Sequence, residues 1–119
     1  MAQDRLEAAV AAGRSGPVIT LTGETDLASV AELSALLSGQ LAGGTRELTI
    51  DASGLRFADT ASIRALMLAA RTLNERGGRL VLLHPQQPVA KMLELLGADD
   101  MFTIVRETPG QPEPEASPG

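Results

Sequence analysis

Cysteine, tryptophan and tyrosine are absent from this chain, and Phe57 and Phe102 are its only aromatic residues. Without cysteine there is no disulfide, no thiolate nucleophile and no cysteine-held metal. The absence agrees with a reducing compartment, and the expected localisation is cytoplasmic. Without aromatic platforms, base stacking on single-stranded nucleic acid is nearly excluded. Basic residues are scarce relative to acidic ones: 10 Lys and Arg against 15 Asp and Glu leave a formal charge of −5. That is the wrong sign for a surface that neutralises phosphates, so direct nucleic-acid binding is not expected. Long apolar runs are missing too. No stretch approaches the roughly 20 residues needed to span a bilayer. The N-terminal MAQDRLEAAVAAGRSG mixes acidic with apolar residues, unlike a secretory signal. A soluble protein without membrane insertion is the expectation.

What is present is aliphatic. Hydrophobic residues make up 44% of the chain, so Leu, Val, Ile, Ala and Met must fill the interior. The 119 residues suit one domain. Composition shifts after Arg106, where ETPGQPEPEASPG offers no large apolar side chain. Such a segment cannot bury enough surface to offset its ordering entropy. The expected division is a folded domain over residues 1–106 and a disordered Pro/Glu-rich tail over 107–119.

Within the domain, strand and helix patterns alternate. Residues 6–12 read as a first strand, and Val18 to Thr22, β-branched and bounded by Pro17 and Gly23, as a second. Val30, Leu33, Leu37 and Leu41 have helical spacing, stopped by Gly43 and Gly44. A short strand is expected over 47–51. Ile63, Leu66, Met67, Ala70 and Leu73 mark a second helix, ended by Gly77 and Gly78. The continuous apolar run over 79–83 reads as a strand in a sheet covered on both faces. Val89, Met92, Leu93 and Leu96 give a third helix with Gly97 after its end, and 102–105 closes the domain. The alternation predicts an α/β sandwich with parallel strand pairs.

No catalytic constellation is legible. His84 is the sole histidine; it precedes Pro85 at the end of a strand and reads as a turn residue with a solvated imidazole. Neither G-x-x-x-x-G-K-[ST] nor G-x-G-x-x-G occurs. Asp51, Asp59 and Ser62 could furnish a small hydrolase with carboxylates and a hydroxyl, but no base histidine accompanies them. No enzymatic activity, cofactor or metal is expected. One polar segment remains, running from Ile50 to Ser62 between a strand and a helix. Asp59 and Thr60 stand directly before the second helix, where either oxygen can cap an orphan N–H. A phosphate on Thr60 would also meet those N–H groups and the positive end of the helix dipole.

Three stretches carry a family resemblance. Gly23-Glu24-Thr25-Asp26 resembles a G-E-[IL]-D turn, and 48–67 resembles a strand, an apolar loop ending in Phe57 and a D-S-[ST]-G phosphorylation motif. Gly77 to Leu82, with Val89 to Gly97, is similar to the last strand and helix of the same family. In this order they resemble STAS domains of anti-sigma-factor antagonists over roughly 17–106. The resemblance implies a STAS-type α/β sandwich: a mixed four- to five-stranded sheet with parallel pairs, packed with three to four helices. It also implies partner switching. The antagonist binds an anti-sigma factor with serine/threonine kinase activity and frees a sigma factor; phosphorylation from ATP dissociates the complex, and a metal-dependent serine/threonine phosphatase resets it. Carried over residue by residue, the acceptor is Thr60, with Ser62 as a fallback. The partner-binding residues are Gly23, Glu24, Asp26, Asp59, Thr60, Ala61, Ser62 and Arg64. The chain departs from the family pattern at Ala61, usually Ser or Thr, at Ser62, usually Gly, and at Thr25, usually Ile or Leu, which removes an apolar anchor. These departures motivate an alternative, a phosphorylation-independent STAS module regulating a transporter or scaffold complex.

Overall fold

The structure, a computed structural model, describes residues 5–106; the tail expected over 107–119 lies outside the described residues. Five strands, β1 (Glu7–Ala12), β2 (Pro17–Glu24), β3 (Glu47–Phe57), β4 (Arg79–Leu83) and β5 (Thr103–Val105), form one sheet in the order β1-β2-β3-β4-β5. β1 pairs antiparallel with β2, and all other pairs are parallel. The crossovers contain α1 (Leu27–Ala42), α2 (Thr60–Glu75) and α3 (Gln87–Leu95), with a 3₁₀ turn at Asp99–Met101. This is the mixed α/β sheet with parallel pairs that the sequence leads one to expect.

Right-handed crossovers that advance one strand at a time place every helix on the same face. Accordingly α2 packs between α1 and α3, and a single core joins them to alternate strand residues. Ile19, Leu21, Leu48, Ile50, Leu80 and Leu82 are each fully buried beneath Leu33, Leu66, Leu73 and Leu93 of the helices. The expectation of a sheet covered on both faces is therefore corrected. Among the described residues no helix lies over the other face, where Thr20, Thr49, Asp51 and Leu83 are half-buried and Thr22 is exposed. The apolar run of β4 has another cause: Leu80 and Leu82 point into the core, while Val81 fits between Thr49 of β3 and Thr103 of β5.

The helix ends follow local chemistry. Gly77 and Gly78 donate to Asn74 and Leu73 carbonyls, at 3.0 and 2.8 Å, closing α2 with a Schellman turn. Gly97 and Ala98 close α3 the same way, through Glu94 and Leu93. A second difference from expectation is β3, which continues through Ala52, Gly54 and Leu55 to Phe57 instead of ending at Asp51. Register shifts against β2, between Thr20 and Thr22 and between Gly23 and Glu24, each absorb one extra residue of β3. Gly54 permits the close approach, since a Cβ there would lie 2.7 Å from Thr22 Cγ2. Ser53 and Gly54, which read as loop residues, are the bulge of a long strand.

His84 also differs from expectation. It has a left-handed φ of 51°, its N–H donates to the Val105 carbonyl at 2.6 Å, and both ring nitrogens are buried without a hydrogen-bond partner. The imidazole is not solvated. Burial of Leu66 and Leu82 predicts that truncating either to Ala costs about 2–5 kcal/mol in denaturant titrations. Leu68→Ala, on a side chain 62% exposed, should stay within about 0.5 kcal/mol of wild type.

Candidate docking site

Parallel pairing of β2 with β3 sends both strands out of the sheet at the same end. The N-termini of α1 and α2, which follow those strands, therefore sit side by side. Gly23, buried at φ +94°, turns the chain out of β2. Asp26 then caps α1: its carboxylate accepts from Ser29 N–H at 3.0 Å, while Ser29 Oγ accepts from Asp26 N–H at 2.9 Å. This reciprocal box was not anticipated, although Asp-x-x-Ser before a helical pattern was the available signal.

Asp59 caps α2. Its Oδ1 accepts from the Ser62 amide at 3.1 Å and from the Thr25 hydroxyl at 2.8 Å, and the Asp59 amide donates back to Thr25 Oγ1 at 2.9 Å. Thr25 N–H adds a bond to the Phe57 carbonyl at 3.1 Å. Thr25 is buried, 3% exposed. Where sequence reasoning saw only the loss of an apolar anchor, the structure has a hydroxyl joining two loops. Partial burial alone would raise the Asp59 pKa. The adjacent Ser62 side chain, the Thr25 hydroxyl and the Ser62 and Asp59 amides favour the anion by more, holding it below the ordinary 3.8. Ser62 Oγ itself closes no hydrogen bond, so its effect on the carboxylate is that of a nearby dipole.

Around this pair the expected site residues separate by accessibility. Thr60, first residue of α2, is exposed, as are Asp26 and Arg64, while Glu24, Asp59 and Ala61 are half-buried. Gly23 and Ser62 are buried, Ser62 completely. Ser62 is thus out of reach as a fallback acceptor, because the third residue of the helix turns toward the core. Asp51 does not join the group. It lies in β3, on the sheet face away from the helices, and accepts from Ser53 N–H and Oγ. The hydrolase constellation of Asp51, Asp59 and Ser62 is not assembled.

Apolar surface adjoins the polar centre. Leu27 is 78% exposed beside Asp26, and Phe57 is 42% exposed at the end of β3. Thr60, Arg64 and Leu68 follow at four-residue steps along one exposed stripe of α2. Arg64 and Leu68 line a shallow groove of about 330 Å³ with Met67, Arg71 and Met101. The helical pattern that grouped Met67 with the apolar positions of α2 did not reveal this groove. A polar corner with an exposed apolar flank and an open groove offers a protein partner both directed contacts and apolar area.

The lowered Asp59 pKa fixes the sign of a pH effect. The anion stabilises the fold above the ordinary value of 3.8, and that contribution is lost as pH falls through the lower folded-state pKa. Asp59→Ala should cost about 1 kcal/mol at neutral pH. Asp59→Asn should keep much of the cap but flatten the acid limb of the stability profile, measured by denaturant titration at stepped pH.

Comparison with known proteins places this geometry. A family model described as "Mlab, STAS domain" matches residues 8–106. A putative anti-sigma factor antagonist of Bordetella bronchiseptica, BtrV, is 28% identical over 87 residues, covering 73% of this chain and 75% of that protein. An anti-sigma factor antagonist from Mycobacterium paratuberculosis superposes with a TM-score of 0.78 at 20% identity, covering 89% of this chain and 90% of the other. The antagonist SpoIIAA superposes in its unphosphorylated form with a TM-score of 0.72 at 22% identity, covering 83% and 88%. Its phosphorylated form, from Bacillus, gives 0.66 at 23% identity, covering 84% and 90%. These structural likenesses establish a shared fold, and the match over nearly all the described residues identifies the chain as a member of the STAS domain family.

Proposed function

We propose that this chain is an anti-sigma-factor antagonist that docks onto an anti-sigma factor with serine/threonine kinase activity and is released when Thr60 is phosphorylated. The observation that carries the reading is an exposed hydroxyl opening α2 directly after a capping Asp59. The antagonist names of the Bordetella relative and of the structural neighbours support the general role. One neighbour, SpoIIAA, exists in phosphorylated and unphosphorylated forms, which supports a phosphate-controlled version of it. In the proposed cycle Thr60 Oγ1 attacks the γ-phosphoryl group of ATP, its proton passes to a base of the kinase, and ADP leaves. A metal-dependent phosphatase hydrolyses the ester and restores the hydroxyl.

Charge explains why such a modification would act as a switch. Phosphate adds about −1.5 to −2 charges beside the Asp59 carboxylate. The helix N-terminus tolerates that charge, whereas a partner covering the corner must desolvate it against a neighbouring anion. Glu24, Asp26 and Arg64 then supply polar contacts around Thr60, with Leu27 and Phe57 as apolar anchors. A second reading, a phosphorylation-independent module regulating a transporter or scaffold, is favoured by Ala61 and by Ser62 in place of the family's Gly.

Phosphate uptake from ATP in the presence of the cognate anti-sigma kinase tests the switch. One phosphate should appear on wild type and on Ser62→Ala, and none on Thr60→Ala. Uptake by Thr60→Ala at the wild-type rate overturns the assignment. Thr60→Glu should weaken kinase binding by about tenfold or more, or 1.4 kcal/mol, in calorimetry. Binding to transport subunits, with no affinity for the kinase, would select the second reading.

A further inference from the structure

We propose that Thr25 is a positioning residue that locks the β2–α1 and β3–α2 loops into one preassembled docking face by holding the Asp59 side chain and amide at once. The proposal deepens the reading of Thr60 as a switch and rests on that reading for its biological consequence alone.

An enclosed Oγ without partners is costly, and Thr25, 3% exposed, can both donate and accept through its hydroxyl. Thr25 finds both on one residue, 34 positions away in sequence: it donates to Asp59 Oδ1 and accepts from Asp59 N–H. The Thr25 amide reaches the Phe57 carbonyl in the same loop. An aliphatic residue here would hold the loops together by non-directional packing. The hydroxyl instead fixes the carboxylate rotamer, since the oxygen it engages is the one that caps the Ser62 amide.

The clamp lies one residue upstream of both exposed groups. Asp26 follows Thr25 and caps α1; Thr60 follows Asp59 and opens α2. Setting Thr25 against Asp59 therefore sets Asp26 against Thr60. A partner that reads these two groups together meets loops already ordered, so less ordering entropy opposes docking. A kinase meets the acceptor hydroxyl at a defined place relative to a second anion. Thr25 touches neither phosphate nor partner in this scheme and acts only through Asp59.

Three substitutions in the full chain test it: Thr25→Val, which deletes the hydroxyl at nearly constant shape, Thr25→Ser, which keeps it, and Thr25→Ile, which supplies an apolar anchor. The Asp59 carboxyl is titrated by carbon-detected NMR, and hydrogen exchange is followed at the Asp59 and Ser62 amides. Thr25→Val should raise the Asp59 pKa and speed exchange at its amide about tenfold through easier local opening. Thr25→Ser should leave both near wild type. Thr25→Ile should keep the fold yet titrate like Thr25→Val, separating a lost hydrogen bond from lost packing. An unchanged Asp59 titration and unchanged exchange in both Val and Ile variants overturns the clamp.

Affinity for the anti-sigma kinase and the initial rate of Thr60 phosphorylation are measured on the same proteins. A loss of about threefold to tenfold in either, with rescue by Ser, supports positioning, since tenfold corresponds to only 1.4 kcal/mol. Unaltered values beside an altered Asp59 overturn the docking role. If wild type itself neither binds the kinase nor takes phosphate, the function proposed above fails, while the titration and exchange still decide whether Thr25 holds Asp59.

Discussion

One carboxylate organises the candidate docking end of this molecule. Asp59 Oδ1 accepts from the Ser62 amide and the Thr25 hydroxyl, so a single oxygen both starts a helix and joins two loops. Capping by a charged group is among the stronger local hydrogen bonds, because the anion meets the partial positive charge of the helix start. Partial burial opposes that charge, and the directed donors outweigh it, leaving a pKa below the ordinary value. An Asp in this position is a structural residue, and its capping role is compatible with the modification proposed for its neighbour Thr60.

The sheet makes the arrangement possible. In parallel β-α-β units the loop after each strand opens the next helix, and adjacent strands place adjacent loops at the carboxyl end of the sheet, where open α/β sheets habitually bind their ligands. β2 and β3 are such neighbours, so Thr25 and Asp59 meet. Antiparallel β1 lies at the edge with its side chains exposed and contributes no crossover helix. Placing all the helices on one face concentrates the aliphatic core there, which is how a chain with only two aromatic residues builds an interior from Leu, Ile, Val and Ala. Within that core Leu55 and Ala58 are also buried, so the approach to Asp59 is anchored on its inner side by packing and on its outer side by hydrogen bonds.

Most of the fold was legible because it rests on periodicity and punctuation. The helical spacing of Val30, Leu33, Leu37 and Leu41 and the glycines at 43, 77 and 97 mark helices and stops that depend on neighbours in sequence. The length of β3 was not legible, since a bulge at Ser53 and Gly54 carries the same residues as a loop and only pairing with β2 distinguishes them. The one-sided cover of the sheet was equally hidden: the apolar run of β4 does not reveal that Val81 faces away from the helices. At the candidate site, the place of Asp59 and Thr60 at the start of α2 was legible from the local pattern. The partnership of Thr25 with Asp59 was not, because it joins residues 34 apart, and a residue-by-residue comparison with the family pattern shows only that an aliphatic side chain is missing.

The pairing of Thr60 with Ser62 shows how helical geometry separates two hydroxyls that look equivalent in sequence. A capped helix rotates by about 100° per residue, as 3.6 residues per turn requires. With Asp59 fixed as the cap, the first position faces outward and the third faces the core. Thr60 is consequently exposed, and Ser62 is enclosed with its Oγ unpaired. An unpaired buried hydroxyl is a local cost of about 1–3 kcal/mol, and a Gly at the third position would not bear it. The Ser62 side chain is among the groups that favour the Asp59 anion and lower its pKa. Ser62 therefore lies on the inner side of the helix beside the cap, while Thr60 remains exposed on the outer side.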